Sequence, residues 1–519
     1  MGEKQSKGRQ LSLTVRSNVA INLVRTLAMT LLSFITFPFI TRALGDEAFG
    51  LYSWANSFVY YFLILAKISI PNLAIRECVK AKGDREQLSA TVQKFFLLQS
   101  FTTLASFALL CIFVFSVPSL YSEAEIIFIL SINFLAGVFS FEWVYIALEK
   151  HFYITVRSVF LIAFSACCAF LFIKPTAYPE QYLYLYSAIA ILPTIGTSIF
   201  NCIFLHRYVS LRKTTRFSFR PLIKPLSTMA LLSFALTVYN QTDEFILGFV
   251  DPSKAAVGAY AVGVKGVDII ITLTTSLYAV FLPRASYYHE LEDKAPYKRL
   301  LDYSFNITFF IAVPAIATMT SLSLPITALI SGGDMSSSYQ DANWILFALC
   351  FMMLTYSLSD NIYNEILIPE RKERYYLYAM AMGVALNIGL SLLFALVVMK
   401  DRAGLGVAIA TMIADVCVLI LLYFLSRKYA KGAIFNLNNL KITAFGAAIF
   451  LLNFFILPLL LKMDWGDSTQ AGIYLGSGLI LLAADAAIYL VGLRLTKEKL
   501  VCSLFRRKDM HGESESEGE

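Results

Sequence analysis

Fourteen stretches of 21 to 30 mostly apolar residues follow one another along the chain, separated by short polar breaks. They cover 18–42, 49–70, 93–117, 125–149, 153–174, 181–206, 226–250, 257–282, 301–330, 342–364, 375–399, 404–426, 442–462 and 470–493. Each is long enough for the roughly 20 residues that a helix needs to cross a bilayer. In hydrocarbon the backbone must bond to itself, which leaves helices or closed barrels. The alternating pattern of a barrel strand is absent, so the chain is expected to be an all-α polytopic membrane protein of about 14 transmembrane helices. The ninth run holds Pro314 and Pro325 and is expected to kink or tilt.

Composition agrees. Apolar and aromatic residues make up 58% of the 519 positions and charged residues 15%, against about 25% charged in a soluble domain. That leaves no room for a large soluble domain, and the net charge of +7 is spread over short loops rather than a nucleic-acid-binding face. The basic N-terminus "MGEKQSKGRQLSLTVRSN" leads into an apolar run too long for a signal-peptide core, so it reads as a retained first helix. Its loose fit to a myristoylation pattern adds little to a chain already held by many helices. The eight cysteines contain no C-x-x-C pair, and adjacent Cys167 and Cys168 suit packing better than ligation; no metal site is expected.

Lys and Arg are sided. Of 43, the two termini and the even-numbered loops with the run ends that flank them carry 34, the odd-numbered loops with theirs 6, and Arg25, Lys67 and Lys265 are the remainder, within runs. The positive-inside rule then puts both termini in the cytoplasm. The acidic end "ESESEGE" reads as a solvated tail.

A repeat organises the runs. "AFGLYS" (48–53) opens the second run and "AVGAYA" (256–261) the eighth, 208 residues on. A looser echo joins "ALEKHFYITV" (147–156) to "PERKERYYLY" (369–378). Both pairs are six runs apart. This suggests two pseudo-symmetric six-helix bundles of parallel orientation, plus two further helices, although a chance recurrence of Gly-x-Tyr would read the same way. The expected layout is a cytoplasmic N-terminus (1–17), a first bundle (18–206), a basic cytoplasmic linker (207–225), a second bundle (226–426), two extra helices (427–493) and a cytoplasmic tail (494–519). Bundles facing a central cleft permit alternating access by rocking, which favours a transporter. The repeated glycine is expected to let the chain turn and pack closely, and the tyrosine to anchor the helix start at the interface.

Several segments resemble one family in order along the chain. They are 18–53, "FEWVYIALEKHFYITVRSV" (141–159), "TDEFILGFVDPSKAAVGAYAVG" (242–263) and "GLGVAIATMIAD" (404–415). The resemblance is to bacterial polysaccharide repeat-unit flippases of O-antigen, capsule and exopolysaccharide assembly. That family shares a superfamily with multidrug/cation antiporters and the lipid II flippase. It implies two six-helix bundles around a cavity, often with two added helices. It also implies a substrate, an undecaprenyl-pyrophosphate-linked oligosaccharide moved from the cytoplasmic to the outer leaflet of the cytoplasmic membrane. A polysaccharide polymerase and glycosyltransferases would be its partners, together with membrane lipids.

The intramembrane polar residues then acquire candidate roles. Asn18, Asn22, Arg25, Ser33 and Thr36 share one face of the first run, and Ser233, Thr237, Asn240 and Glu244 one face of the seventh. Such stripes either line a wet cleft or pack helices together. Arg25, roughly 10 Å in from the cytoplasmic end, suits bidentate contact with phosphate or snorkels to the interface. Lys67, a turn from its end, has the same two readings. Lys265 lies roughly 12 Å into the eighth run with Asp268 one turn on, as an ion pair or as a switchable phosphate or cation site. Substrate-binding candidates are therefore Arg25, Asn22, Lys67, Asn240 and Lys265. Ion-coupling candidates for H+ or Na+ are Glu244, Asp243, Asp268 and Asp415, with Asp485 a further isolated acid. The linker "HRYVSLRKTTRFSFRP" (206–221) suits anionic lipid head groups. No nucleophile–base pair or phosphate-cradling loop stands out, so neither enzymatic activity nor a cofactor is expected. The competing reading is a multidrug/cation antiporter, which would want an acidic cleft. A membrane glycosyltransferase would need larger outer loops than the 5–11 residues here.

Overall fold

The computed structural model describes residues 2–174, 180–210, 220–276, 278–291, 294–331, 339–463 and 470–498, and every regular element among them is helical. Packing divides the chain into two units, Met1–Gly258 and Ala259–Glu519. The first holds α1 (Gly2–Lys67), α2 (Ile70–Lys80), α3 (Arg85–Ser116), α4 (Pro118–Tyr121), α5 (Ala124–Gly137), α6 (Glu142–Ala147), α7 (His151–Phe172), α8 (Glu180–Leu205) and α9 (Arg220–Val250). α10 (Ala255–Ser276) opens at the end of the first unit. The second holds α11 (Tyr278–Glu290), α12 (Lys294–Ser321), α13 (Ser323–Ser331), α14 (Ala342–Cys350), α15 (Met352–Asn361), α16 (Glu373–Leu393), α17 (Ala403–Ile434), α18 (Leu437–Leu461) and α19 (Gln470–Leu495). Twelve described segments are long and apolar enough to cross a membrane. The first, Val24–Lys80, contains two of the predicted runs, and α9 supplies one more, so the fourteen runs are all helical.

Polar breaks in the sequence are not always breaks in the helix. The first two runs form a single helical element, bent where Gly45 adopts φ 72°, ψ 177°. Positive φ costs a side-chain-bearing residue energy that glycine avoids. The turn expected at Gly50 is therefore made five residues earlier, and Gly50 is helical. Its smallness serves packing instead. A Cβ on Gly50 would stand 1.9 Å from the Lys254 carbonyl oxygen, and one on Gly258 would stand 2.2 Å from that of Asp46. Each glycine of the repeated phrase thus seats the backbone four residues before the other. The two phrases were written alike because they touch. Lys254 locks this crossing by donating to the Gly248 carbonyl and lying 4.6 Å over the Trp54 ring. Asp251 accepts the Ala256 amide at 2.7 Å and anchors the start of α10. The tyrosines turn inward rather than to the interface: Tyr260 is buried, and half-buried Tyr52 packs 4.7 Å from Tyr186. Tight glycine contacts draw their neighbours into the helix seam.

Other predicted runs are broken. α1 ends at Lys67, where Ile68 and Ser69 both take positive φ before α2. The run at 125–149 breaks at Phe141 (φ 44°) into α5, a short 3-10 turn and α6. The run at 301–330 continues through Pro314 and breaks at Leu322, so that Pro325 falls in the first turn of α13, where its missing N–H is harmless. The run at 342–364 breaks at Phe351 and continues past α15 as a π-helix, Ile362–Leu367.

In the first unit a core of Ile70, Leu73, Val92, Phe95, Phe141, Trp143, Tyr145, Ile154 and Leu205 joins α2, α3, α6, α7 and α8. In the second unit, polar side chains link helix to helix where apolar contact gives no hydrophobic gain in lipid. Asn387 donates to Thr411 at 3.1 Å between α16 and α17, and Asn306 to Asn439 at 3.0 Å between α12 and α18. Asp485 on α19 accepts from Thr318 at 2.7 Å and from Asn453 at 2.8 Å. That isolated acid is a packing hub for three helices.

Candidate functional site

The break at Phe141 decides where the first unit's charges meet. A left-handed non-glycine residue costs roughly 1–3 kcal/mol and is held only where its surroundings fix it. Phe141 is buried, 5.2 Å from the Phe96 ring and 6.2 Å from Trp143. The residue after it, Glu142, becomes the first of α6. Its carboxylate lies 3.6 Å from the Arg25 guanidinium of α1 and 3.3 Å from that of Arg157 on α7. It also lies within electrostatic range of Lys67. Two guanidinium groups and an ammonium thus converge around one carboxylate, leaving the cluster net positive.

Arg157 is the fixed member. Its side chain is 3% exposed, against 26% for Arg25 and 37% for Glu142. It donates to the Asn201 side-chain oxygen at 2.5 Å. Asn201 on α8 is itself immobilised: Tyr153 donates to that oxygen at 3.0 Å, Tyr145 to its carbonyl at 2.7 Å, and its amide donates to the Ser140 carbonyl. A buried cation held this way keeps its guanidinium edge aimed at Glu142. The more exposed Arg25 is the member free to reach an incoming anion. Beside it, Asn22 lies 3.4 Å from the His151 ring at the start of α7.

Of the predicted binding residues, the structure therefore brings Arg25, Asn22 and Lys67 into one neighbourhood. Lys265 is elsewhere, half-buried on α10, within electrostatic range of Asp268 but in no ion pair with it among the described residues. Asp268 is exposed on α10. The side chain of Asn240 lies outside the described residues. Glu244 accepts from Ser57 at 2.5 Å, across the packed faces of α1 and α9, with Tyr61 bonded to Thr242 at 3.1 Å alongside; Asp243 is buried. Asp415 is buried in α17.

Glu142, Arg157 and His151 were missed by sequence reasoning. All three stand in the segment 141–159 that carries the family resemblance, but Arg157, four residues into the run at 153–174, counts as a loop cation when run ends are grouped with the loops they flank. It is in fact two turns into α7. No local pattern announces that a helix break will turn Glu142 toward it.

This is a multi-pass, all-helical membrane fold. A family model described as "Polysaccharide biosynthesis protein" matches residues 15–289, more than half of the chain. The chain belongs to that family. Among solved structures, an inward-facing multidrug resistance transporter of the MATE family and MOP superfamily is similar at TM-score 0.59 and 14% identity. The match covers 80% of this chain and 99% of the other. A second MATE structure gives TM-score 0.52 at 14% identity, covering 80% and 97%. The lipid II flippase MurJ, in an inward closed conformation, gives 0.47 at 18% identity, covering 94% and 99%. No curated protein matches the sequence.

Proposed function

We propose that this chain flips an undecaprenyl-pyrophosphate-linked oligosaccharide from the cytoplasmic to the outer leaflet of a bacterial cytoplasmic membrane by alternating access, for surface polysaccharide assembly. The observation that carries this reading is the convergence of Arg25 and Arg157 on the half-exposed carboxylate of Glu142. A pyrophosphate in hydrocarbon without compensation costs far more than thermal energy. Guanidinium forks match phosphate oxygens in geometry and charge. Glu142 serves as the resting counter-ion, which the head group displaces when it binds. The sided Lys and Arg support cytoplasmic termini, and the polymerase and glycosyltransferases of the same polysaccharide are the expected partners. Membership of the polysaccharide biosynthesis family supports this reading over a multidrug/cation antiporter, as does the positive cluster, which would repel cationic drugs.

The test is export in a strain lacking the gene. Complementation with wild type should restore surface polysaccharide. Arg25→Ala at equal membrane abundance should not, while Glu142→Gln should bind the prenyl-pyrophosphate head group more tightly. Normal polysaccharide in the deletion strain, or a changed drug-sensitivity profile in its place, sinks the flippase reading and favours the antiporter.

A further inference from the structure

The second unit contains a fully buried carboxyl group on a π-helix. Glu365 lies within the π-helical segment Ile362–Leu367 at the end of α15, and its side chain is fully buried. One carboxyl oxygen accepts from Ser304 on α12 at 2.5 Å; the other is buried with no hydrogen-bond partner. No cation contacts it among the described residues. A charged carboxylate so enclosed would carry an uncompensated cost of several kcal/mol, and proteins avoid this by keeping such a group protonated.

The π-helix adds the second element. Its i to i+5 bonding widens the turn, and such bulges collect at functional sites. It brings Asp360, five residues earlier, within electrostatic range of Glu365. One Asp360 oxygen accepts from Asn364 at 3.0 Å, and the other is buried without a partner. Two carboxyls in one low-dielectric site cannot both be ionised. The other titratable neighbours supply no cation to the pair. Tyr297 on α12 donates to the Glu365 carbonyl at 2.8 Å, with His289 of α11 and Tyr429 of α17 against its ring. Tyr363 stacks on Tyr376 of α16, and in the following turn Glu370 is already ion-paired with Lys372.

We propose that Glu365, with Asp360 beside it, is a proton-binding site of the second unit, and that loading and unloading this proton drives the transport cycle. The unpartnered Glu365 oxygen is where the proton sits. The coupling role rests on the transport reading above; the proton site itself does not. Its test is correspondingly double. Infrared spectra of the purified full-length protein in liposomes should show a protonated-carboxyl band that disappears as pH rises, and that is absent in Glu365→Gln. Replacing Ser304 by Ala removes the only side-chain donor to Glu365 among the described residues, so the band should persist to higher pH; this holds the test open if Glu365→Gln does not fold. In the same liposomes, an inward-directed proton gradient should speed flipping of a labelled undecaprenyl-pyrophosphate glycan by wild type. Glu365→Gln should exchange the glycan without responding to the gradient. No band in wild type, a band unchanged in Glu365→Gln, or a cycle answering to Na+ instead of H+ overturns the proposal. A band with no movement of the glycan by wild type leaves the proton site standing and removes both the flippase reading and the coupling.

Discussion

Glu142 and Glu365 are the same side chain put to opposite uses. Glu142 is half-exposed at a helix break, with two guanidiniums on it. Glu365 is sealed inside a widened helix with a single hydroxyl. The first balances charge that a substrate can compete for; the second has nothing to balance and is suited to a proton. An intramembrane acid thus takes its role from the partners its helix irregularity brings to it, a left-handed Phe141 in one unit and a π-helix in the other.

The largest way to break this contrast is Arg157→Ala. It removes the buried cation that donates to both Asn201 and Glu142, and hydrogen bonds to a charged group are worth about 1.5–3 kcal/mol each. The thermal midpoint of detergent-purified protein should fall sharply, and much less for the more exposed Arg25→Ala. A comparable fall for both would mean that Arg157 is not the anchor. Next in size is Gly258→Ala, which drives a Cβ into the Asp46 backbone on the helix that carries Arg25. Overpacking of this kind costs about 1–3 kcal/mol. It should weaken pyrophosphate binding at the first-unit cluster while leaving the Glu365 infrared band in place, whereas Gly389→Ala, with open space around it, should change neither.

The contrast itself is sharpest in a paired substitution. Glu142→Gln leaves two guanidiniums without their counter-charge and should lose about 1.5–3 kcal/mol, the worth of hydrogen bonds to charged groups. Glu365→Gln replaces a neutral carboxyl by a neutral amide of the same shape and should change unfolding by less than ~1 kcal/mol. Equal losses would erase the distinction.

The smallest effect is at the surface. Lys82 donates to Glu149 at 2.9 Å, and that hydrogen bond holds the Glu149 carboxyl below its ordinary value of 4.5. A depressed carboxyl stabilises the fold above the unfolded value and loses its contribution as pH falls through the folded one. Unfolding midpoints of wild type and Glu149→Gln should therefore differ slightly near neutrality and converge in acid below the 4–5 range. Solvent screening keeps the gap well under ~1 kcal/mol for so exposed a pair. A gap that widens on acidification would contradict it.

The apolar runs, the sided cations and the family were legible from residue order because each depends on local composition. Arg25, Asn22 and Lys67 were legible as candidates because polar residues inside an apolar run are conspicuous. Arg157, Glu142 and Glu365 were not, since each lies near the end of a run, where a charged residue looks like part of a loop. The repeated Gly-x-Tyr phrase is visible as a repeat, and the close packing expected of its glycines is found at Gly50 and Gly258, each of which receives the other's backbone, whereas the bend is at Gly45.

Sequence alone determined that this chain crosses a membrane many times as helices, for lipid leaves the backbone no other partner than itself. Only the tertiary structure decided which charges meet. Contacts between residues 25 and 142, or 304 and 365, are fixed by where helices break and how their backbones cross, and neither is written within one turn of any residue involved.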